Sequence, residues 1–429
     1  MAANLSRPGA AVVPFGIEAT PGGPILRWDQ RATSVAEIGR ELGRIWASPR
    51  AAAARDPAGE RTVAARTSVL NLVVVARSPE LGELAAATLA AGTGRHPSRT
   101  LILVPTDPDG PGWLRADVKA YCMVPRAGAA ETCAEQVYVA AGGDTGRHLE
   151  AIVAPLLIHD LPVTVWWPGD PPFGASQAMA LVGTADRLVV DGSRWSGDGL
   201  GRLVALAGLA RPSLPISDFA LMRQARWREA VATVFDRAEF RPYLRSMRRF
   251  AVTYATHGGA DAEVATNVVK PIYHVAWLAS RLELDVVRPL ARVGRQAPAS
   301  RPTGAMPGAP ADAGRGLRAL LESERGTEID VVIRPVVSAM PGGTTLRVEL
   351  LAERRGLELR AEVTAEAESV HVRVWEDGVE ALDRIFHAAR RTDADLLTEA
   401  IEAGGRDPVA EGTLATAARL AGLPARVGA

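Results

Sequence analysis

The fold class follows from an apolar segment near the start of the chain, residues 68–76, which reads SVLNLVVVA. Its β-branched and aliphatic residues run almost without a polar break, as in a strand that is buried on both faces of a sheet. Directly after it, Pro79–Ala91 has helical composition, with proline at a favourable first position and Gly92 as a stop signal. Thr100–Val104 is a second short buried strand. A strand, a helix and a strand in this order predict one unit of a parallel sheet.

The same alternation of buried strands and short helices continues to residue 215. Further strands are predicted at Tyr121–Pro125, Thr132–Ala140, Leu161–Trp167 and Asp186–Asp191, with helices at Arg147–Leu157, Ser176–Val182 and Leu200–Ala210. Upstream of the first strand, one helix is predicted at Thr33–Trp46, with Thr33 or Ser34 as its N-cap. The predicted fold class is therefore α/β, with a mostly parallel, doubly wound sheet and flanking helices.

The pattern changes in the second half of the chain. Asp218–Tyr243 and Ala260–Leu284 are predicted to be helical, and the Pro- and Gly-rich stretch after them has no periodicity. Alternation of apolar and polar residues then predicts antiparallel strands with one solvated face, at Glu328–Val337, Thr344–Ala352, Leu357–Thr364 and Ser369–Trp375. Two helices are predicted last, at Asp393–Ala403 and Pro408–Leu420.

These patterns divide the chain into five predicted regions. They are an N-terminal extension with one helix (1–60), an α/β sheet domain (61–215), a helical segment (216–288), a Pro/Gly-rich linker (289–316) and a smaller C-terminal α+β domain with an antiparallel sheet (317–429). The regions show no internal repeat, so a solenoid or propeller is excluded.

Composition and charge exclude several classes of protein. The chain has 429 residues, of which 47% are hydrophobic, so it can form a large core and is neither disordered nor fibrous. Lys plus Arg and Asp plus Glu both number 49, which argues against nucleic acid or an anionic membrane as the main partner. We find no signal-peptide pattern and no apolar stretch long enough to cross a membrane, and we expect a cytoplasmic protein.

Motifs for catalysis and for metal or cofactor binding are missing from the sequence. G-x-G-x-x-G, the Walker phosphate loop, H-E-x-x-H and G-x-S-x-G are all absent, and the seven histidines are scattered. Cys122 and Cys133 are too few for a disulfide scaffold or a four-thiolate metal site. They can approach each other on adjacent strands, but we interpret them as two buried small hydrophobic residues. We therefore predict no metal, no cofactor and no catalytic residues.

Polar residues within or beside the buried strands are the first group of candidate site residues. Buried polar groups need hydrogen-bond partners, so Asn71, Glu135 and Gln136 either bond internally or line a ligand crevice at a sheet edge. Arg99, in the segment His96–Arg99, either holds a phosphate or is a surface arginine of a loop. The glycine-rich turn Gly197–Gly201 also has two interpretations, an anion site at a helix N-terminus or a flexible turn. The candidate crevice residues are Arg66, Asn71, His96, Arg99, Glu135, Gln136 and Asp191.

A tryptophan pair and an arginine-rich segment form the second group. Trp166 and Trp167 end a buried strand, so alternation sends one ring into the core and the other toward a partner at the sheet edge. Arg223–Arg249 holds eight arginines and three acidic residues, which suits either a solvated face or contact with an acidic protein surface. Its aromatic residues have helical spacing and resemble core positions rather than a stacking platform for nucleic acid. The candidate partner-binding residues are Trp166, Trp167, Asp170, Arg223, Arg226, Trp227 and Arg228.

Taken in order, nine of these segments resemble the glucose-6-phosphate dehydrogenase assembly protein (OpcA) family. They are Arg66–Val74, His96–Arg99, Cys133–Val137, Asp160–Val163, Trp166–Pro172, Asp186–Asp191, Ile216–Asp218, Trp227–Glu229 and Trp277–Leu282. Their spacing is preserved, but the likeness fades beyond the second predicted helical stretch. After Asp218 the chain also has Phe219-Ala220-Leu221, where the family tends to carry an Asn-Trp-like pair.

The resemblance implies a function that the residues alone do not indicate. The family is understood to assemble or allosterically activate glucose-6-phosphate dehydrogenase, the entry enzyme of the oxidative pentose phosphate pathway, and is not known as a catalyst. Some photosynthetic members are described as redox-controlled through cysteines, but the C-terminal half of this chain has none, so we expect no thiol control. The alternative is an enzyme or sensor that binds a phosphosugar or nucleotide in the crevice of the sheet.

Overall fold

The computed structural model describes residues 25–47, 54–55, 61–62, 68–92, 96–123, 132–173, 176–257, 266–293 and 316–422. These residues form two eight-stranded sheets and a two-stranded ribbon made of β2 (Ala54–Arg55) and β3 (Arg61–Thr62). The candidate crevice residue Arg66 lies outside the described residues, as does most of the predicted linker.

The first sheet follows the order β1-β6-β7-β5-β4-β8-β9-β10. Its strands are β1 (Ile25–Ala32), β4 (Leu70–Val75), β5 (Ser98–Thr106), β6 (Trp113–Met123), β7 (Thr132–Gly142), β8 (Val163–Trp167), β9 (Arg187–Val190) and β10 (Ile216–Asp218). From β7 to β10 all neighbours are parallel, and β1 and β6 add antiparallel strands at one edge. The parallel part has the strand order of a Rossmann sheet, so the predicted mostly parallel, doubly wound sheet is confirmed.

Strand β4 occupies the centre of this sheet, and all its residues are buried. Val73 and Val75 join a hydrophobic cluster on one face, whereas Leu72 and Val74 join a second cluster on the other. Helices cover both faces, and Ser78 caps the second of them by accepting the backbone N–H of Leu81 at 3.3 Å. These helices are α1 (Val35–Ala47), α2 (Pro79–Ala91), α3 (Gly143–Arg147), α4 (Leu149–Val153), α5 (Ser176–Gly183) and α6 (Leu200–Leu209).

The second sheet follows the order β12-β13-β14-β11-β15-β16-β17-β18 and is antiparallel except for the pair β11–β14. Its strands are β11 (Met247–Thr256), β12 (Asp285–Val293), β13 (Gly316–Glu322), β14 (Glu328–Val337), β15 (Thr345–Arg354), β16 (Leu357–Ala365), β17 (Ser369–Glu376) and β18 (Val379–His387). The four strands predicted from alternation correspond to β14–β17, so the antiparallel sheet is confirmed.

The remaining helices connect the two sheets. They are α7 (Phe219–Met222), α8 (Ala225–Asp236), α9 (Val269–Arg281), α10 (Asp393–Glu402) and α11 (Pro408–Leu420). Helix α8 packs on β16 and β17, and α9 packs on β11, β14 and β15. The last two helices return to the first half of the chain, because α10 packs on α2 and α7 while α11 packs on α6 and α9.

Eight strands escaped the sequence-based prediction: β1, β11, β12, β13 and β18, and the very short strands β2, β3 and β10. β11 lies inside the predicted helical segment, and it is nearly all buried because β14 and β15 flank it, so it lacks the alternation that marks a half-exposed strand. β1, β12 and β18 are edge strands with mostly exposed residues, so they lack the apolar pattern that marks a strand. β12 also contains a proline, which is tolerated at a sheet edge. β13 begins at residue 316, where the predicted linker ends. The strand predicted to begin at Tyr121 belongs to β6, which begins eight residues earlier, at Trp113. The predicted helix Arg147–Leu157 is interrupted, since α3, α4 and a short 3₁₀ turn replace it.

The interpretation of the two cysteines as separate hydrophobic residues is wrong. Cys122 on β6 lies opposite Cys133 on β7, and their sulfur atoms form a disulfide. Antiparallel pairing places their Cα atoms 4.0 Å apart, so the bond joins two strands that are already neighbours. No helix within the described ranges is long and apolar enough to cross a membrane.

Candidate functional site

Four charged side chains meet at the carboxyl end of the first sheet, directly after β9. The carboxylate of Asp191 accepts hydrogen bonds from both terminal nitrogens of Arg223, at 2.8 and 2.9 Å, and from Nε of Arg194, at 2.9 Å. Asp393 accepts from Arg223 at 2.6 Å and from Arg194 at 2.9 Å. We call these residues the Asp191 cluster. Two arginines alternate with two aspartates, so charge-assisted hydrogen bonds connect all four side chains.

The Asp191 cluster joins three separate segments of the chain. Asp191 and Arg194 belong to the turn after β9, Arg223 follows α7, and Asp393 begins α10. The Asp191 side chain is only 1% exposed. Burial alone would raise the pKa of its carboxyl, but Arg223, Ser193 and Arg194 together outweigh burial and hold that pKa below its ordinary value. Asp191 therefore stays ionised at neutral pH and ties α7 and α10 to the sheet.

A second buried carboxylate, Asp218, ends the neighbouring strand β10. One oxygen accepts the backbone N–H groups of Gly192 and Ala220 at 2.9 and 2.8 Å, and the other accepts the Tyr273 hydroxyl at 2.7 Å. No side chain fits at Gly192, because a Cβ there would lie 2.7 Å from Asp218 Oδ2 and 2.8 Å from Val269. Burial raises the pKa of Asp218 to about 6 despite these hydrogen bonds.

Helix α9 is also fixed to the turn after β9 by Asn267. The Asn267 amide donates to the carbonyl oxygens of Gly192 at 2.8 Å and Trp195 at 2.9 Å, while its oxygen accepts the Val269 N–H at 2.9 Å. These bonds hold a helix of the second half against the carboxyl end of the first sheet. A cleft of about 360 Å³ lies at this junction, lined by Ser193, Arg194, Trp195, His257, Thr266, Asn267 and Gly342.

His274, the neighbour of Tyr273 in α9, is a buried neutral residue. Its ring contacts the Trp227 ring edge-on, with centroids 5.2 Å apart. Burial, with Arg228 and Lys270 nearby, lowers the pKa of His274 to about 3. Among the residues that the structure describes, Nε2 has no hydrogen-bond partner. This histidine is therefore part of the core and carries no charge at neutral pH.

The usual nucleotide position of a Rossmann-order sheet differs here in its first turn and in the loop after β8. Nucleotides bind where the strand order reverses, between β4 and β8, with the pyrophosphate on a glycine-rich turn. The turn after β4, Ala76–Ser78, contains no glycine. The loop after β8 packs directly against α2, since a Cβ on Gly169 would lie 2.6 Å from the Leu81 side chain. The glycine-rich turn that holds a pyrophosphate in such sheets is therefore missing after β4.

The structure corrects the expectation for the tryptophan pair. Trp166 and Trp167 point to opposite faces, as predicted, but they are only 1% and 0% exposed. Trp166 packs against Phe219 and Trp167 against Phe173, with ring centroids 5.8 and 5.9 Å apart. Both faces of β8 are core, so the prediction that one ring is open to a partner is wrong.

The polar members of the predicted partner surface bond within the chain. Asp170 accepts the backbone N–H of Ser196 at 2.8 Å. Arg228 donates to the Leu221 carbonyl oxygen at 2.6 Å, and Trp227 is buried. Arg226 donates to three backbone carbonyl oxygens, those of Glu366, Ala367 and Ala388. Together with Arg223 in the Asp191 cluster, these side chains hold the fold together.

The candidate crevice residues do not form one site. Asn71, Arg99 and Glu135 lie near the amino ends of β4, β5 and β7, whereas Asp191 follows the carboxyl end of β9. Open parallel sheets bind ligands at the carboxyl ends of their strands, so the expectation of a common crevice is wrong. His96 and Gln136 also lie at the amino edge, beside a cavity of only about 50 Å³.

The buried polar residues of the amino edge are satisfied internally. The Asn71 side chain bonds the carbonyl oxygen of Ile158 at 2.9 Å, the N–H of Ile158 at 2.8 Å and the carbonyl oxygen of Leu161 at 3.2 Å. Arg99 Nε pairs with Glu135 at 2.5 Å. The interpretation of Asn71 and Glu135 as internal hydrogen-bonding groups is confirmed, whereas Arg99 is buried and is not a surface residue of a loop.

Several residues of the carboxyl edge were not foreseen: Asp218, Asn267, Tyr273 and Asp393. One signal was available, since Asp191 and Asp218 each lie at the end of a short buried strand, and such ends share one edge of a parallel sheet. The other members come from α9 and α10, and no local pattern predicts that these helices approach that edge.

The fold defines a two-sheet α/β protein whose first sheet has Rossmann order and no glycine in the turn after β4. Residues 90–207 match the family described as glucose-6-phosphate dehydrogenase subunit N-terminal domain, and residues 214–414 match the corresponding C-terminal domain. These two matches follow each other along most of the chain. The chain belongs to the OpcA family.

Two cyanobacterial relatives, both provisionally named OxPP cycle protein OpcA, are similar to this chain. The protein from Synechocystis sp. is 28% identical over 208 residues, which are 48% of this chain and 41% of the relative. The protein from Nostoc punctiforme is 26% identical over 194 residues, 45% of this chain and 39% of the relative. The matched region thus spans less than half the length of either relative.

Similarity to solved structures is confined to the general fold. The crystal structure of myo-inositol 2-dehydrogenase from Lactobacillus plantarum aligns with 82% of this chain and 95% of its own, at 10% identity and a TM-score of 0.40. Biliverdin reductase from Synechocystis sp. aligns with a TM-score of 0.39 at 7% identity, over 82% of this chain and 98% of its own. Likeness at this level supports no conclusion about activity.

Proposed function

We propose that this protein is a non-catalytic assembly factor and allosteric activator of glucose-6-phosphate dehydrogenase. The observation that carries the proposal is the match of two consecutive regions to the two domains of a family described as a subunit of that enzyme. The names of the two relatives, which refer to the OxPP cycle, fit the same role. If this protein binds the high-affinity state of the dehydrogenase more tightly than the low-affinity state by about 1.4 kcal/mol, the affinity of the enzyme for its substrate can rise tenfold.

The bonding at the carboxyl edge supports a binding role. In an open parallel sheet this edge is where substrates and nucleotides are held. Here the side chains of Asp191 and Asp218 accept hydrogen bonds from other parts of the chain, and Leu81 packs on the loop after β8. The sheet then acts as a rigid support for an outer surface, which is the arrangement that a protein-binding scaffold needs.

The outer arginines of the arginine-rich segment are the proposed contact surface. Arg223 and Arg228 bond inward, but Arg241, Arg245 and Arg248 are exposed. Exposed charges of one sign accelerate association with an oppositely charged surface. We therefore assign the contact with an acidic face of the dehydrogenase to these three arginines.

Steady-state kinetics of the dehydrogenase from the same organism test the function. Glucose 6-phosphate is varied with and without the purified full chain. We expect a lower KM or a higher kcat that saturates near equimolar protein, and co-elution of the two proteins on gel filtration. Unchanged kinetics together with separate elution would contradict the proposal.

A charge-reversal variant tests the surface separately. Arg241→Glu combined with Arg245→Glu and Arg248→Glu should weaken binding to the dehydrogenase at least about tenfold, mainly through slower association at low salt. The matched control reverses three exposed arginines elsewhere, Arg288, Arg325 and Arg384, and should bind as the unmodified chain does. Equal affinity of both triple variants would place the contact on another surface while leaving the activator role intact.

A further inference from the structure

The second sheet has one face that α8 and α9 do not cover. Val252 on β11 belongs to the large hydrophobic cluster, together with Trp227 of α8 and Ile272 of α9, so these helices lie on its side of the sheet. Because side chains alternate along a strand, Ala251 points to the opposite side, which we call the outer face. Ala251 and its neighbour Val332 on β14 are buried, yet they belong to neither hydrophobic cluster of the described residues.

Apolar side chains remain accessible on the outer face. Leu320 is partly exposed, and Ile385 is 67% exposed. Trp375 is also partly exposed, and the guanidinium groups of Arg360 and Arg373 lie 4.2 and 5.2 Å from the centroid of its ring. Tryptophan and arginine are among the residue types that most often supply the binding energy of protein interfaces.

The charges of the outer face have both signs, and several of them are already paired within the chain. Arg249 donates to Asp330 at 3.2 Å. Glu362 accepts from Arg373 at 2.6 Å and from Arg347 at 3.4 Å. Paired charges cost less to bury than single ones, so this face can enter an interface without leaving these groups unmatched.

The outer face is large enough for a stable interface. Eight strands about 4.8 Å apart and about 25 Å long make a face of roughly 900 Å². A standard protein–protein interface buries about 800 Å² on each partner. Two sheets that pack face to face also interdigitate their side chains, as in a β-sandwich.

The order and register of the strands make the outer face complementary to itself. The middle of the sheet lies between β11 and β15, so a twofold axis along the strands there places β14 opposite β16 and β13 opposite β17 of a second copy. Leu320, Asp330, Arg360 and Trp375 lie in one row across the sheet. Along this row, Asp330 of one copy faces Arg360 of the other, and Leu320 faces Trp375.

We propose that the outer face binds a second copy of this chain and that the protein is a twofold-symmetric dimer. Each contact occurs twice in such an interface, so the charge pair and the apolar pair both count double. The proposal does not depend on the proposed function, because it concerns the chain in the absence of the dehydrogenase.

Sedimentation velocity of the purified full chain tests the dimer. We expect a particle of twice the mass of one chain. Asp330→Arg and Arg360→Asp each place like charges opposite each other, so each variant alone should dimerise at least about tenfold more weakly. An equimolar mixture of the two should recover the dimer, because each variant then meets the opposite charge on the other.

The matched controls reverse exposed charges away from the outer face. Glu324→Arg and Arg384→Asp should dimerise as the unmodified chain does. A monomeric unmodified chain, unchanged dimerisation of both outer-face variants or a mixture that stays monomeric would each overturn the proposal. A monomeric chain whose outer-face variants lose binding to the dehydrogenase would overturn it too, and would assign the outer face to the enzyme.

Cross-linking tests the arrangement without changing any charge. Leu351 lies on β15 beside the proposed axis, whereas Ile385 lies on β18, where its two copies are about 34 Å apart. A short bismaleimide should therefore link Leu351→Cys into a covalent dimer and leave Ile385→Cys unlinked. Equal yields from both variants, or no link in Leu351→Cys, would overturn the proposed arrangement.

Discussion

The two ends of the first sheet bury polar groups in different ways. At the amino end, Arg99 pairs with Glu135, 36 residues away on a strand of the same sheet, and Asn71 bonds the loop before β8. At the carboxyl end, Arg223 bonds both Asp191 and Asp393, which is 170 residues further along the chain. The buried polar groups of the amino end therefore bond within the first sheet and its connections, whereas those of the carboxyl end reach the start of α10. Exposed contacts also join the end of α10 to the amino end, since His96 pairs with Glu402 and Arg187 donates to the Ala403 carbonyl oxygen.

This difference shows what replaces a ligand in the fold. In open parallel sheets, the carboxyl ends of the strands leave backbone and side-chain groups that a ligand satisfies. In this protein, residues of α7, α9 and α10 satisfy many of those groups. The carboxyl end is thus a structural joint between distant parts of the chain.

The largest expected effect comes from breaking that joint. Asp191→Ala should lower the free energy of unfolding by about 3–5 kcal/mol, because it leaves the largely buried guanidinium of Arg223 without its main partner. Urea unfolding measures this loss. Hydrogen exchange should also become faster in α7 and α10, the helices that the Asp191 cluster ties to the sheet.

Glu135→Ala is the matched variant at the amino end. It leaves Arg99 buried and unpaired, so a loss of similar size is expected, but faster exchange should be confined to β5, β7 and their neighbours. If Asp191→Ala and Glu135→Ala gave the same pattern of faster exchange, the buried charges at the two ends of the sheet would not differ in how far along the chain they act.

The disulfide offers the next largest effect and lies away from the joint. Replacing both Cys122 and Cys133 by alanine should lower the free energy of unfolding by about 2–3 kcal/mol, since an 11-residue separation is closed by the bond. Exchange at α10 should not change. Thiol titration of the denatured, unreduced chain should find no free thiol, and two free thiols would contradict the bond.

The pH dependence of stability provides a smaller effect that is specific to α9. His274 has a pKa of about 3 when folded and about 6.5 when unfolded, so the unfolded chain binds more protons between these values. The free energy of unfolding therefore falls as the pH decreases from 6.5, by about 2 kcal/mol at pH 5 from this residue. Asp218 acts in the opposite direction between about pH 4 and 6, because its pKa is raised in the folded state.

His274→Phe isolates the histidine contribution, because Phe keeps a ring against Trp227 and cannot be protonated. The difference in unfolding free energy between pH 7.5 and pH 5 should shift by about 2 kcal/mol in favour of the variant at pH 5. Comparing each protein with itself at two pH values cancels the change in packing. An unchanged difference would show that His274 is not held neutral by burial.

Much of the architecture could be predicted from local patterns. The bounds of α2 and α11 and of β14 match the predictions, because proline, cap residues and strict alternation mark their ends. β11 could not be identified in this way, since its position between two strands of another region makes it apolar on both faces. For the same reason, Trp166 and Trp167 could not be recognised as core: the helices that cover them come from other parts of the chain.

The candidate site was predicted less well than the fold. Asp191 was identified as a polar residue after a buried strand, but its partners Arg223 and Asp393 belong to different predicted regions.

The sequence by itself determined the order of strands and helices, the mostly parallel first sheet and the antiparallel second sheet. These features follow from periodicity, capping and turn residues, which act between residues close together in the chain. The tertiary structure alone decided which polar groups are satisfied and which tryptophans are buried. Those outcomes depend on contacts between segments more than a hundred residues apart, and burial then sets the cost of every unpaired charge.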